Sequence, residues 1–303
     1  MRKFTMLLLT SAFLACGGGP PPAAETAASA AAEPEPEVVD WWKEKEPCRD
    51  GAQLQGAAPP GGQEIFCAKP DGTKHGAYSD FYDNGKKKSE LVYREGKEDG
   101  RVMRWHPNGQ VAEESRYRLG KREGKSTTWH ATAQKATEGE FVSGREVGTH
   151  VKYDDAGTKI WEGEYREGKL HGKVRAFSKT GEPSEESDYR GGVRHGPMRA
   201  FHPNGKVERE GMYAEDARVG SWKFYREDGS PLEISELVDG QRHGKVVRYH
   251  PSGVREFEGQ YDKGAKTGTW QYFEPEEGEL IREEVYKNDR KVKTTVKKVV
   301  KKK

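Results

Sequence analysis

Glu162-Gly163-Glu164-Tyr165-Arg166-Glu167-Gly168-Lys169-Leu170-His171-Gly172 carries the pattern from which the fold of this chain is read. A carboxylate, a small residue and an aromatic ring lead into two glycines four residues apart. Counterparts of Gly172 stand at Gly76, Gly100, Gly124, Gly148, Gly196, Gly220, Gly244 and Gly268, a period of 24 without a slip. Nine units in one register define a tandem repeat, in which each unit buries its apolar face only against its neighbours.

Counted from the marker glycine, the fifth residue is always aromatic: Phe81, Trp105, Trp129, Tyr153, Phe177, Phe201, Tyr225, Tyr249 and Phe273. A turn follows, clearest in Tyr82-Asp83-Asn84-Gly85 and His106-Pro107-Asn108-Gly109. Pro fixes φ near −65° and Gly accepts the left-handed region, so a type I turn with a glycine bulge, and thus a three-residue hairpin loop, is predicted. That loop pairs the fifth residue with the eleventh. It places a second aromatic row, Tyr93, Tyr117, Phe141, Tyr165, Tyr189, Tyr213 and Tyr261, with Leu237 in one unit, on the same face as the first. Small residues two positions before this second row, such as Ser115, Gly139, Gly163, Gly211 and Gly259, leave room for a neighbouring ring.

One residue before those small residues runs a row of carboxylates, Glu90, Glu114, Glu138, Glu162, Glu186, Glu210 and Glu258, expected opposite the rings and neutralised by Lys and Arg on adjacent strands. Departures are local. Ala131-Thr132-Ala133 replaces the turn glycine of the third unit, Asp216 replaces a connecting glycine, Ile234 interrupts the Glu row, and one inserted residue moves the ninth turn to Gly278. The fold class expected is all-β: an elongated single-layer antiparallel sheet of tandem 24-residue β-hairpins. Eighteen strands would make a twisted ribbon on the order of 85 Å long.

Composition agrees. With 32% hydrophobic residues, 34% charged and 37 glycines among 303, the chain is too polar for a thick two-layer core, while 10% aromatics at regular spacing exclude plain disorder.

Arg2 and Lys3 followed by the uncharged run from Phe4 to Ala15 read as a secretory signal at 1–15, too short to span a bilayer. Ala15-Cys16-Gly17 resembles a bacterial lipobox with Cys16 as the lipidated residue; Phe13 and Leu14 depart from its usual pattern. Residues 16–39, rich in Ala, Pro and Glu, form a linker reaching up to roughly 70 Å. The expected location is the bacterial cell envelope, at the outer membrane or periplasmic face. In such an oxidising compartment Cys48 and Cys67 are expected to form one disulfide, worth roughly 3 kcal/mol, since a redox pair would be closer in sequence and a metal site would need His nearby.

Residues 40–75, with Trp41 and Trp42, are read as a disulfide-stapled cap over the first edge strand, 76–288 as the nine repeats, and 289–303 as a basic tail. From Tyr286 to Lys303 nine Lys or Arg face one acid, Asp289, so the charge of +2 overall hides an acidic body.

The quoted stretch resembles a MORN repeat, closest to the bacterial MORN-repeat variant group often labelled YwqK-type antitoxins. The resemblance covers about 76 to 288 and implies a partner-binding scaffold, antitoxin- or immunity-like in function.

No phosphate loop, HExxH or nucleophile elbow occurs, so no catalysis and no cofactor are expected. Eight of nine His occupy repeat positions about 10 Å from their counterparts, too far apart to share a metal. An acidic body sent out of the cytoplasm disfavours nucleic acid. Two uses of the surface remain. In the first, the aromatic row binds an unknown protein partner. In the alternative, rings and the cations Lys297, Lys298, Lys301, Lys302 and Lys303 contact glycan or anionic lipid.

Overall fold

The computed structural model describes residues 40–297; Cys16, the segments 1–15 and 16–39, and Lys298, Lys301, Lys302 and Lys303 lie outside the described residues. Within them, twenty-two strands form one open antiparallel sheet, each strand paired with its sequence neighbours except that Lys97–Glu98 and Gly100–Trp105 both pair with Lys87–Arg94, and a short 3-10 turn spans Trp41–Lys43. Four strand assignments go beyond the eighteen expected. Gln53–Ala57 and Glu64–Ala68 come from the cap, Arg290–Val296 comes from the tail, and one repeat strand is split into Lys97–Glu98 and Gly100–Trp105.

The unit that begins at Gly172 shows how each hairpin is built. Ser178 N–H donates to Glu182 C=O and Gly181 N–H to Ser178 C=O, closing a three-residue loop with Gly181 at φ +84°. The fifth residue pairs with the eleventh, Phe177 with Pro183, as the loop demands. Then the register shifts by one: Ala176 pairs with Glu185, leaving Ser184 as an extra residue, and the pairing runs on to Gly172 opposite Tyr189. This β-bulge recurs at the same place in all nine units, for example at Asp80/Phe81, Arg104/Trp105 and Tyr272/Phe273.

Because side chains alternate with period two, one extra residue inverts the parity of the remaining strand. The expectation that both aromatic rows share a face is therefore overturned. The fifth-position rings lie with the carboxylate row on one face, here called the ladder face. The second row, from Tyr93 to Tyr261, lies on the other, the stripe face.

Units are joined by two-residue turns with both residues at positive φ, such as Glu167-Gly168 at 53° and 79°, the geometry of a type I′ turn. Beyond each turn the pairing slips by two residues. Tyr165 pairs with Leu170, but Gly163 pairs with Val174.

Along the stripe face a single file of small and apolar residues crosses the sheet, in which Val102, Met198, Trp222, Val246 and Trp270 are each at most 3% exposed. Two arrangements alternate in it. Where the file holds Gly, a ring fills the space: a Cβ on Gly211 would sit 2.4 Å from the Trp222 ring, and one on Gly259 2.3 Å from Trp270. Where it holds Ser, a polar clasp closes over it: Ser115 donates to Glu113 at 2.7 Å, and Arg122 reaches the same carboxylate at 2.9 Å. The reading of the small residues as ring receptors thus holds at the glycines, whereas Ser115 and its counterparts hold a carboxylate instead of a ring.

Cys48 and Cys67 form a disulfide. The segment it staples is a hairpin whose second strand, Glu64–Ala68, pairs with the first repeat strand, Lys74–Phe81, and so covers that edge by adding strands to it. What Trp41 and Trp42 do cover is the ladder face of the first unit. Trp41 Nε1 donates to Ser79 at 2.9 Å and Trp42 packs edge-on against Phe81. Within the basic tail, Arg290–Val296 is a strand paired with Leu280–Lys287.

Candidate interaction surface

The ladder face takes its chemistry from the bulge, which brings the eleventh and fourteenth residues to the same side. Lys87 meets Glu90, Lys135 meets Glu138, Lys159 meets Glu162, and Arg255 meets Glu258, each three residues apart in sequence. The first strand of the same hairpin adds cations from the first and third positions after the marker glycine, as in Arg175 with Glu186 at 2.9 Å and Lys245 with Glu258 at 3.1 Å. Neutralisation of the Glu row by its neighbours is as expected from the sequence. The cation is the more exposed partner in these pairs except Lys87, which is more buried than Glu90. Arg199 is 58% exposed against 25% for Glu210, and Lys245 59% against 20% for Glu258.

At Glu138 and Glu162 these contacts favour the ionised form. The Tyr153 hydroxyl, 2.5 Å away, and Lys135 hold Glu138 below the ordinary carboxylate value, and Lys159 and Arg175 do the same for Glu162. Tyr153 is pushed up to about 12, by burial first and by Glu138 second.

The predicted ring row lies along this face at the seam between units. Phe81, Trp105, Trp129, Tyr153, Phe177, Phe201, Tyr225 and Tyr249 are half-buried, and Phe273 is 8% exposed. A cation of the preceding unit sits over several of them: Lys159 is 4.8 Å from the Phe177 centroid and Arg255 4.6 Å from that of Phe273. Much of each ring is therefore spent on unit-to-unit packing. The His beside the turns are spent likewise: His106, His130, His202 and His250 each bond, through Nε2, the fifth-position carbonyl of the next unit at 2.8 to 3.1 Å. Lys297 is 3.6 Å from Glu283.

What pattern reading missed is the relief between the rings. The two-residue slip opens a shallow depression at equivalent places along the array. One of about 380 Å³ is lined in part by Lys173, Glu186, Arg199, Glu210, Met212 and Lys223; others of about 360 and 340 Å³ lie at Lys245 to Gln271 and Lys125 to Val151. The signal was present as the alternation of Lys or Arg with Glu, but the slip that makes a hollow of it is a pairing property.

Residues 74–95, 98–118, 194–215 and 242–263 match the model of the MORN repeat variant. These repeats are MORN repeats of the variant type, and each match spans one hairpin. Units outside the four matches, such as the one from Gly172, share the same pairing. No curated protein matches the chain. Among solved structures, a mutant S. aureus TarM in complex with Fondaparinux, α-GlcNAc-glycerol and UDP is 15% identical over 32% of this chain and 19% of its own, at a TM-score of 0.24. TcdB2-TccC3 without its hypervariable C-terminal region is 10% identical over 78% of this chain and 17% of its own, at 0.19. The Photorhabdus luminescens Tc holotoxin pore is 11% identical over 79% and 15%, at 0.20. This chain thus spans about a fifth or less of those chains.

Proposed function

We propose that the repeat ribbon is a non-catalytic protein-interaction scaffold of the bacterial cell envelope, tethered through a lipid on Cys16 and binding its partner antitoxin- or immunity-like, by occupation. The observation that carries this reading is the ladder face, a shallow surface of alternating charges whose hollows recur with the 24-residue period. Such a surface offers many weak, geometrically regular contacts, and repeat arrays use extended surfaces of this kind for binding. Hot spots of such surfaces are aromatic and Arg side chains, and both line this one.

Crosslinking in intact cells followed by mass spectrometry tests the proposal. A saturable protein partner crosslinked to ladder-face residues is expected. Crosslinks confined to glycan or lipid, or no saturable partner in membrane extracts at several salt concentrations, would refute it.

A further inference from the structure

The carboxylate row of the ladder face is broken at Ile234, which removes one negative charge from its unit. Lys223 pairs with Ile234 across one strand boundary, where other units offer a Glu, and the next residue in that file is Val247. On its other side Lys223 reaches Glu210 at 3.6 Å, but Arg199 holds that same carboxylate at 3.2 Å. Two cations therefore share one acid, and their side chains are 47% and 58% exposed.

Directly beside them the ladder face turns apolar. Pro197 pairs with Met212, and Met212 is 45% exposed. Equivalent pairs in neighbouring units are polar or charged, Lys173 with Asp188 and Ser221 with Glu236. Both Pro197 and Met212 line the depression of about 380 Å³ already described, with Arg199 and Lys223 on the same lining. One hollow of the array thus combines an apolar floor with two exposed cations that share Glu210, while Glu186 on the same lining is held by Arg175.

We propose that this hollow is the specificity point of the scaffold, and that it takes an acidic peptide segment of the partner bearing one large apolar side chain. The apolar side chain seats on Pro197 and Met212, and an adjacent carboxylate supplies the acid that Ile234 withholds from Lys223 and Arg199. Charge complementarity selects the occupant. A basic segment would meet two exposed cations, and a second copy of the same hollow would bring like charges together. The inference rests on the scaffold reading and names where, and with what chemistry, the partner is held.

The test uses the full chain and a fluorescein-labelled twelve-residue acidic peptide with a central Leu, read by anisotropy. Ile234→Glu restores the row without removing a cation, and it brings this unit back to the pattern of its neighbours, so the fold is kept. It is expected to weaken binding by about two- to fivefold, an ion pair being worth up to about 1 kcal/mol at such exposure. Met212→Ser is expected to weaken it comparably, replacing Leu by Ser in the peptide should do the same, and Arg101→Gln on a distant unit should leave it unchanged. Equal binding by wild type and Ile234→Glu, equal loss with Arg101→Gln, or no binding of the peptide at millimolar concentration would overturn the proposal. Crosslinks from intact cells that map a protein partner to other units would do so as well while leaving the scaffold intact; absence of any saturable partner would instead remove the scaffold reading itself.

Discussion

Replacing Gly211 by Ser should destabilise the array, and replacing Trp222 by Val in the same molecule should largely abolish that effect. Gly211 has no left-handed backbone to excuse its glycine; its cause is the Trp222 ring, whose atoms would lie 2.4, 2.4 and 2.7 Å from a Cβ there. Ordinary contact begins near 3.4 Å, so the ring must retreat by about 1 Å, yet Trp222 is fully buried and packed edge-on against Tyr213. Overpacking of this kind costs about 1–3 kcal/mol. Trp222→Val alone leaves a void and costs about 2–4 kcal/mol. Together they recreate the Ser235 and Val246 pair that the array itself uses one unit later. The double variant should therefore be more stable than the sum of the singles by roughly 1–2 kcal/mol. Denaturant titration of the four proteins measures this coupling, and amide exchange of residues 207–225 locates it, since unfolding of a repeat array need not be all-or-none. Additive effects, or a neutral Gly211→Ser, would refute the account of the stripe.

Other expectations follow from single contacts. Asp216 closes its connecting turn at φ +64° and accepts the Arg194 N–H at 2.8 Å, so Asp216→Ala should cost about 1–2 kcal/mol by chemical denaturation. His202→Ala removes the bond to the Tyr225 carbonyl and should cost about 1 kcal/mol, with amide exchange rising first in the loop at 202–206. Glu138 and Glu162 have carboxyls held below the ordinary carboxylate value, so their contribution is complete above that value and is lost as pH falls through the lower folded value. An acid titration should show Glu138→Gln flattening that fall, and an unchanged profile would count against the ion ladder. Cys48→Ser should loosen residues 40–68 by about 3 kcal/mol in local exchange while leaving the distal repeats unaffected.

The period, the hairpins, the loop type and the ring receptors at Gly211 and Gly259 were all legible in the chain. Each depends on local conformational preference or on the size of a residue at a fixed spacing, and both repeat nine times. Neutralisation of the Glu row was legible for the same reason. The partition of side chains between faces was not, because a strand's alternation is a parity, and one unpaired residue such as Ser184 reverses it. Whether that residue is accommodated as a bulge depends on which pairing best buries Val174, Met198 and Trp222 across neighbouring units, a comparison made only when the strands are assembled. The hollows of the ladder face, the strand formed by Arg290–Val296 and the shared carboxylate at Glu210 have the same origin: they are relations between strands, which no single unit of sequence contains.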